Sequence, residues 1–201
     1  MSLTGNEVKE VMNPEIDITD VVLNTKRLIL RPWRLSDIDD LYAYASVDGV
    51  GQMAGWSPHG NIEESRVILN LFIYEKKTLA IEYKGRVIGS IGIEKYDERE
   101  FPELKEKKCR EIGYALSKDF WGMGLAPEAV KEVIRYLFEE VNLDAVLCSH
   151  FVTNNQSRRV QEKCGFRFYA NGIYKTQFNT QEKDVINILT KEDWTGTVRD
   201  V

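Results

Sequence analysis

The sequence contains few cysteines, and their arrangement argues against two common roles. The 201 residues include only three, Cys109, Cys148 and Cys164, which are odd in number and widely spaced. This spacing suggests neither a disulfide framework nor a zinc knuckle. We therefore expect each cysteine to fill core or interface space as a small apolar residue, and we expect no metal site.

Long apolar runs and an excess of positive charge are also missing. No stretch approaches the roughly 18 to 20 apolar residues that cross a bilayer, and the first residues lack the apolar segment of a signal peptide. Twenty-seven basic against thirty-two acidic side chains give a net charge of -5. This charge argues against sequence-independent attachment to nucleic acid or to an anionic membrane. We expect a cytoplasmic protein that binds neither nucleic acid nor a membrane.

The chain does contain alternating strand and helix patterns. Residues 1–23 are interpreted as a flexible leader, residues 24–194 as one domain and residues 195–201 as a C-terminal tail. Ser36 and Asn61 are typical helix caps, and a hairpin is expected to turn at Lys84 and Gly85. The predicted order is β-α-α-β-β-β-α-β-α-β-β. Its hairpins and β-α-β crossover predict an α/β (α+β) domain with a mixed central sheet flanked by helices.

The stretch "DFWGMGLAPEAVKEVIRYLF", residues 119–138, places two glycines and a proline directly before an amphipathic helix. Apolar residues recur at helical spacing from Val130 to Val141, so one face should pack on the sheet. A proline is tolerated only in the first helical turn, and Pro127 therefore places the helix start close to Ala126.

Gly122, Met123 and Gly124 then form the turn that enters this helix. A helix start carries unpaired N–H groups and partial positive charge, and glycines let a ligand approach the backbone. The residues alone leave two readings open, a tight structural turn or a phosphate cradle. The lysine of a P-loop is absent, which disfavours a nucleotide triphosphatase.

Several segments together resemble a known family. "YALSKDFWGMGLAPEAV" resembles the acetyl-CoA-binding motif of the GNAT N-acetyltransferases, with Gly124 and Ala126 in register and Trp121 at a position usually held by Arg or Gln. That tryptophan is similar to the RimJ/RimL subgroup. So are "TKRLILRPW", "EIGYAL" and "TNNQSRRVQEKCGF", and the resemblance runs from about Asn24 to Trp194.

The resemblance implies a GNAT fold, acetyl-CoA as co-substrate and a primary amine as acceptor. The amine would belong to a protein N-terminus, such as that of a ribosomal protein, or to a small amine or amino acid, and a homodimer is compatible with the family. Asn154 would hold the pantetheine arm or the pyrophosphate, and the Leu116 N–H would meet the oxyanion. The pyrophosphate would contact the backbone of Trp121, Gly122, Met123, Gly124, Leu125 and Ala126.

Two residues are candidates for catalysis. Glu111, the glutamate of "EIGY", would accept the proton of the amine; alternatively it is a solvated carboxylate paired with Arg110 or a lysine. Ser157 would hydrogen-bond the thiolate or relay a proton; alternatively it caps a helix. Many GNAT proteins have a tyrosine acid where this chain has Gln161, so the general acid is unassigned.

The acceptor site is expected between the two early helices and the closing hairpin. Its lining could include Tyr42, Trp56, His59, Tyr74 and Tyr174, although aromatic residues at such positions often serve packing alone, and His59 is not placed in the mechanism. Two other functions compete with catalysis. One is a non-catalytic acyl-CoA-binding module, and the other is a protein that binds a nucleotide phosphate.

Overall fold

A computed structural model of the chain describes residues 13–197, with side chains through Trp194. The strands are β1 (Leu23–Asn24), β2 (Leu28–Pro32), β3 (Thr78–Tyr83), β4 (Arg86–Glu94), β5 (Cys109–Leu116), β6 (Ala145–Phe151), β7 (Arg167–Lys175) and β8 (Gln181–Thr190). The α-helices are α1 (Ile38–Ala45), α2 (Ile62–Glu75), α3 (Leu125–Glu139), α4 (Asn155–Lys163) and α5 (Lys191–Thr197).

The strands form one mixed sheet in the order β1-β2-β3-β4-β5-β6-β8-β7. Among the described strands, β5 and β6 pair in parallel and the other neighbours pair antiparallel. The prediction of a mixed sheet flanked by helices is confirmed. The element order also holds, with the two-residue strand β1 and the terminal helix α5 as additions.

Helices cover both faces of the sheet. The predicted apolar face of α3 is buried from Val130 to Phe138 in one core cluster with Leu79 of β3. The adjacent Ala80 belongs to a second cluster with Leu41 of α1 and Leu69 of α2. Because neighbouring side chains on a strand point to opposite faces, α3 lies on one side of the sheet and α1 with α2 on the other. The three cysteines are buried and unpaired, as predicted.

The segment before β1 differs from the predicted flexible leader. Ile16 and Ile18 are buried in the α3 cluster, and the Ile18 N–H donates to the Lys76 carbonyl at 2.9 Å. Apolar burial and this hydrogen bond therefore fix the chain from Asn13 to Val22 against the domain. Residues 1–12 lie outside the described residues.

The C-terminal end also differs from the sequence-based boundary. Helix α5 runs through residues 195–197 of the predicted tail, and the Trp194 ring lies 5.5 Å from the Phe138 ring. The apolar contact of Trp194 with α3 anchors this helix. Residues 198–201 lie outside the described part of the chain.

One of the two predicted helix caps is confirmed. The Asn61 side chain accepts hydrogen bonds from the N–H groups of Glu63 and Glu64 at the start of α2. The prediction for Ser36 is wrong, because Ser36 lies inside a short 3₁₀ turn, Leu35–Asp37, and makes no such bond. Asp37 holds this corner instead, where its carboxylate accepts from the Arg34 N–H and pairs with the buried Arg31 guanidinium.

The sheet opens between β5 and β6. The two strands pair only from Cys109 with Ala145 to Glu111 with Leu147. Beyond that point β5 stays paired with β4 up to Leu116, while β6 stays paired with β8 up to Phe151. The strands diverge, and backbone groups of β5 face the gap. No described helix has the length and apolarity that a membrane span requires.

Replacing Ile18 with alanine tests whether the segment before β1 belongs to the core. Ile18 is 1% exposed, and its loss should lower the free energy of unfolding by about 2–5 kcal/mol, as for other buried aliphatic residues. Val22→Ala is the control, because Val22 is 54% exposed and should change stability by less than about 0.5 kcal/mol. Equal urea-unfolding midpoints for the two variants would show that the segment is a leader after all.

Candidate functional site

A cavity of about 650 Å³ occupies the gap between β5 and β6. Its walls come from these two strands, from the start of α3, from α4 and from the segment that includes Val50, Met53 and Ala54. Among the predicted site residues Glu111, Ser157, Leu116, Trp121, Gly122, Gly124, Leu125, Ala126 and Asn154 line it. Met123 does not, and its side chain is exposed. The divergence of two strands thus collects residues from distant parts of the sequence.

The glycine turn has the backbone that its sequence predicts. Gly122 and Gly124 have φ angles of 78° and 75°, a region in which a side chain is strained. A Cβ on Gly122 would meet nothing within 4 Å, so the space above it is open to a ligand. Arg27 anchors the turn, because it donates to the Met123 carbonyl at 2.9 Å and pairs with Glu128 in the first turn of α3.

The start of α3 offers free hydrogen-bond donors to this space. The helix begins at Leu125 with Gly124 as N-cap, and no side chain caps it. Pro127 has no N–H, but those of Leu125 and Ala126 are among the first four of the helix, which have no intrahelical acceptor. Together with the partial positive charge of the helix end, they form an arrangement suited to a phosphate.

Trp121 joins the glycine turn to the end of β5. Its indole Nε1 donates to the Leu116 carbonyl at 2.7 Å. The next amide, Ser117 N–H, donates to Ile88 of β4 at 2.8 Å. Because successive amides of a strand point in opposite directions, the Leu116 N–H points away from β4, toward the gap. It can therefore donate to a group bound in the cavity.

Glu111 is held by a neighbouring strand. The Ser149 hydroxyl on β6 donates to Glu111 Oε1 at 2.6 Å, so Ser149, rather than Arg110 or a lysine, is its hydrogen-bond partner. Burial raises the pKa of the Glu111 carboxyl, the Ser149 hydrogen bond lowers it in part, and the charges of Asp184 and Glu94 raise it further. Glu111 is thus a partly desolvated carboxylate that holds a proton more readily than a solvated one.

Gln161 connects this carboxylate to α4. The Gln161 Nε2 donates to the Ser149 carbonyl at 3.0 Å and to Ser157 Oγ at 3.2 Å, while Gln161 Oε1 accepts from Asn187 at 2.6 Å. Gln161 itself is 1% exposed. Gln161, at the position of the expected tyrosine, is therefore buried and hydrogen-bonded to three residues. We call the connected set Glu111, Ser149, Gln161, Ser157, Tyr114 and Asn187 the polar bridge.

Ser157 ends the polar bridge beside a tyrosine that the sequence analysis missed. The Tyr114 hydroxyl lies 2.9 Å from Ser157 Oγ and lines the cavity. Burial raises the pKa of Tyr114 well above its usual value, so the phenol keeps its proton at neutral pH. If Tyr114 and Gln161 both donate to Ser157 Oγ, the single hydroxyl proton of Ser157 is free for a ligand.

Asn154, rather than Ser157, caps α4. Its Oδ1 accepts from the Ser157 N–H at 3.0 Å, and its Nδ2 donates to the Met53 carbonyl at 3.2 Å. The alternative role of Ser157 as a helix cap is therefore wrong. Asn154 lies in the cavity wall, where it fixes the start of α4 against the segment that contains Met53.

Of the five aromatic residues proposed for the acceptor site, Tyr174 lines the cavity and the others do not. Tyr74 is 83% exposed on α2. The His59 ring packs 5.5 Å from Trp56, and its Nδ1 lies 2.7 Å from Ser65 Oγ, which indicates a structural role. Aromatic character alone does not indicate where a residue lies relative to the gap between β5 and β6, so it was a weak signal for the acceptor site.

The cavity carries opposite charges in two regions. Arg159 and Lys163, one turn apart on α4, line it next to Cys164, whose thiol contacts the Pro127 carbonyl at the start of α3. The carboxylates of Glu94, Glu111 and Asp184 line the other region, and each of them acts on the pKa of Tyr174. In the described part of the chain, no group of three or more His, Cys, Asp or Glu side chains could hold a metal ion.

Comparisons with known proteins agree with this architecture. A family model described as the acetyltransferase (GNAT) domain matches residues 27–167. The uncharacterized N-acetyltransferase YoaA of Bacillus subtilis is 30% identical over 154 residues, 73% of this chain and 82% of YoaA.

Two solved structures show the same fold. A GNAT-family acetyltransferase from Bacillus anthracis has a TM-score of 0.75 at 20% identity, over 86% of this chain and 99% of that one. The acetyltransferase MccE, solved with acetyl-CoA and AMP, has a TM-score of 0.68 at 19% identity, over 83% of this chain and 93% of that one.

Glu111→Gln should raise thermal stability at alkaline pH without any ligand. Because burial raises the folded-state pKa of Glu111, the wild-type protein loses stability as pH rises through that pKa, whereas Gln mimics the protonated form. The melting temperature of Glu111→Gln should exceed that of wild type at pH 8, and the difference should shrink toward pH 4. Exposed Glu98→Gln is the control and should show little difference at either pH. A lower melting temperature for Glu111→Gln at pH 8 would contradict this view of Glu111.

Proposed function

The chain belongs to the GNAT acetyltransferase family, and from that premise we propose that this acetyl-CoA-dependent N-acetyltransferase acts by direct attack of a primary amine on the thioester, with Glu111 as base. The observation that carries the proposal is the shared cavity between β5 and β6. One wall of this cavity is a helix start whose first N–H groups have no intrahelical acceptor, and another carries the partly buried carboxylate of Glu111, which accepts from Ser149.

The glycine turn and the start of α3 fit a pyrophosphate. The turn leaves open space above Gly122, and the free N–H groups of Leu125 and Ala126 lie in the cavity wall. Arg159 and Lys163 add positive charge on the same side for the phosphates. When bound, acetyl-CoA supplies the acetyl thioester.

Glu111 is suited to take a proton from the acceptor. Amines are mostly protonated at pH 7, and only the neutral form attacks a carbonyl. Because the pKa of Glu111 is raised, it lies closer to the working pH, which favours general base catalysis. Ser149 keeps the carboxylate oriented toward the gap. Glu111 thus accepts the first of the two protons that the nitrogen loses.

Leu116 would stabilise the negative charge that develops on the thioester oxygen, and Ser157 would stabilise the charge on the departing sulfur. The Leu116 N–H points toward the gap and donates to the thioester carbonyl oxygen as negative charge develops there. The C–N bond forms and the C–S bond breaks. The second proton of the nitrogen passes through the Ser157 hydroxyl to the departing sulfur, while Tyr114 and Gln161 hold Ser157 in place. No separate tyrosine acid is required. The absence of a tyrosine at position 161 is therefore no argument for a non-catalytic acyl-CoA-binding module.

The nature of the acceptor is part of the proposal. The motifs that resemble the RimJ/RimL subgroup support a protein N-terminal amine, as on a ribosomal protein, or a small amine, encountered in the cytoplasm. The three carboxylates in the cavity favour a cationic acceptor over an anionic one. Both acceptor classes contain such cations.

Acetyl-CoA should raise the melting temperature far more than ATP does, since a ligand stabilises the folded state that it binds. Equal shifts with acetyl-CoA and ATP in a thermal melt would argue against the cofactor assignment.

Lys163→Gln should weaken acetyl-CoA binding by about tenfold, because it removes the charged phosphate contact that we propose. Arg158→Gln is the matched control, since Arg158 is outside the cavity wall and pairs with Glu162.

Glu111→Gln should lower kcat by about 10²- to 10⁴-fold, as expected for loss of a general base, and should move the pH profile of the rate. Acetyl-CoA affinity should stay nearly unchanged. The acceptor is first identified by following thiol release with a panel of N-terminal peptides, polyamines and amino acids. A variant with wild-type turnover on that acceptor would exclude the base role.

A further inference from the structure

Asp184 of β8 is a buried carboxylate with no evident structural function. Its residue is 6% exposed, and among the described residues its Oδ1 has no hydrogen-bond partner. A buried polar group without a partner costs free energy, and a buried unpaired charge costs more. Asp184 also lines the cavity, so a cation bound there would lie beside this carboxylate and offset part of that cost.

The sheet gives this carboxylate a defined place. Asp184 pairs with Phe151 at the end of β6 and with Gly172 of β7. A Cβ on Gly172 would lie 2.6 Å from Asp184 Oδ1, so the glycine leaves room for the carboxylate. Two residues further along β8, Ile186 pairs with Ser149, the partner of Glu111. Asp184 therefore lies roughly 7 Å along the strand from the level of Ser149, whose hydroxyl holds the Glu111 carboxylate.

Asp184 differs from the two other carboxylates of the cavity. Glu94 Oε2 pairs with Lys77 Nζ at 2.7 Å, and Glu111 accepts from Ser149. Within residues 13–197, Asp184 Oδ1 has neither an ion-pair nor a hydrogen-bond partner. Burial raises the pKa of Asp184, its own backbone N–H lowers it in part, the charge of Glu100 raises it and that of His150 lowers it. The His150 Nδ1 hydrogen-bonds with the Phe151 carbonyl.

We propose that Asp184 binds a second positive charge of the acceptor, and that the enzyme therefore favours primary amines that carry another cation. The inference rests on the proposed function, in which Glu111 serves the reacting amine. Small diamines and peptides with a basic first or second residue share this chemistry.

A count of charges explains why the second cation matters. The reacting amine enters as an ammonium ion and gives one proton to Glu111, which neutralises both groups. Asp184 takes up no proton in this step, so its carboxylate is matched only by a cation that persists. An acceptor with one amine loses its only positive charge, whereas a diamine or a basic peptide retains one to pair with Asp184.

The test compares acceptors that differ only in the second charge. Putrescine is paired with butylamine, and argininamide with citrullinamide, so the two pairs also separate small diamines from peptide-like acceptors. In the wild-type enzyme kcat/KM should be about tenfold or more higher for the dication of at least one pair. Asp184→Asn should abolish this preference, mainly through KM, because it should lower kcat/KM for the dication more than for the monocation.

Glu182→Gln is the matched control. Glu182 lies two residues away on the same strand and is exposed, so this variant makes the same change in net charge outside the cavity. It should keep the preference for the dication. A preference that survives in Asp184→Asn, or that falls equally in Glu182→Gln, would overturn the proposal, as would an equal loss for both members of each pair.

A binding measurement keeps this inference separate from the proposed function. Putrescine should raise the melting temperature of the wild-type protein more than butylamine does, and this difference should vanish in Asp184→Asn. If no amine is acetylated but this difference is found, the cation site stands and the proposed reaction fails. If amines are acetylated but the wild-type protein shows no difference in either measurement, the reaction stands and the role of Asp184 is excluded.

Discussion

The divergence of β5 from β6 is the constraint on which the rest of the site depends. Parallel pairing stops at Glu111 and Leu147, while each strand keeps its other neighbour. The gap leaves the Leu116 N–H without a strand partner and creates the cavity. The same gap would cost stability if it exposed many polar groups in a dry interior. The polar bridge replaces part of the missing ladder, because its side chains connect β5, β6, β8 and α4 through hydrogen bonds.

Gln161 stands where the resemblance led us to expect a tyrosine, and the site around it is nevertheless well defined. A tyrosine at this position would bring a hydroxyl group, whereas the amide brings a donor and an acceptor that Ser149, Ser157 and Asn187 satisfy. A fully satisfied buried network fixes the positions of its members. Ser157 and Glu111 thus have orientations that depend on the same residue, although they lie on different elements.

Features that depend on local sequence could be predicted, and features that depend on register could not. The hairpin at Lys84 and Gly85 and the buried face of α3 follow from turn preferences and helical periodicity. The glycine turn at Gly122 was predicted for the same reason. Tyr114 and Asp184 were missed, because their roles arise only when strand pairing brings them to the gap. Ile18 was missed since a short apolar pattern in a polar segment does not reveal the surface on which it packs.

Arg27 links the beginning of the domain to the glycine turn. Its side chain reaches from the approach to β2 to the Met123 carbonyl and to Glu128, about 100 positions later in the chain. Trimming or replacing the first strands would thus also release the glycine turn, for which we propose a role in binding acetyl-CoA. For the same reason, the N-terminal strands and the glycine turn should be exchanged together when parts of this protein are recombined with those of its relatives.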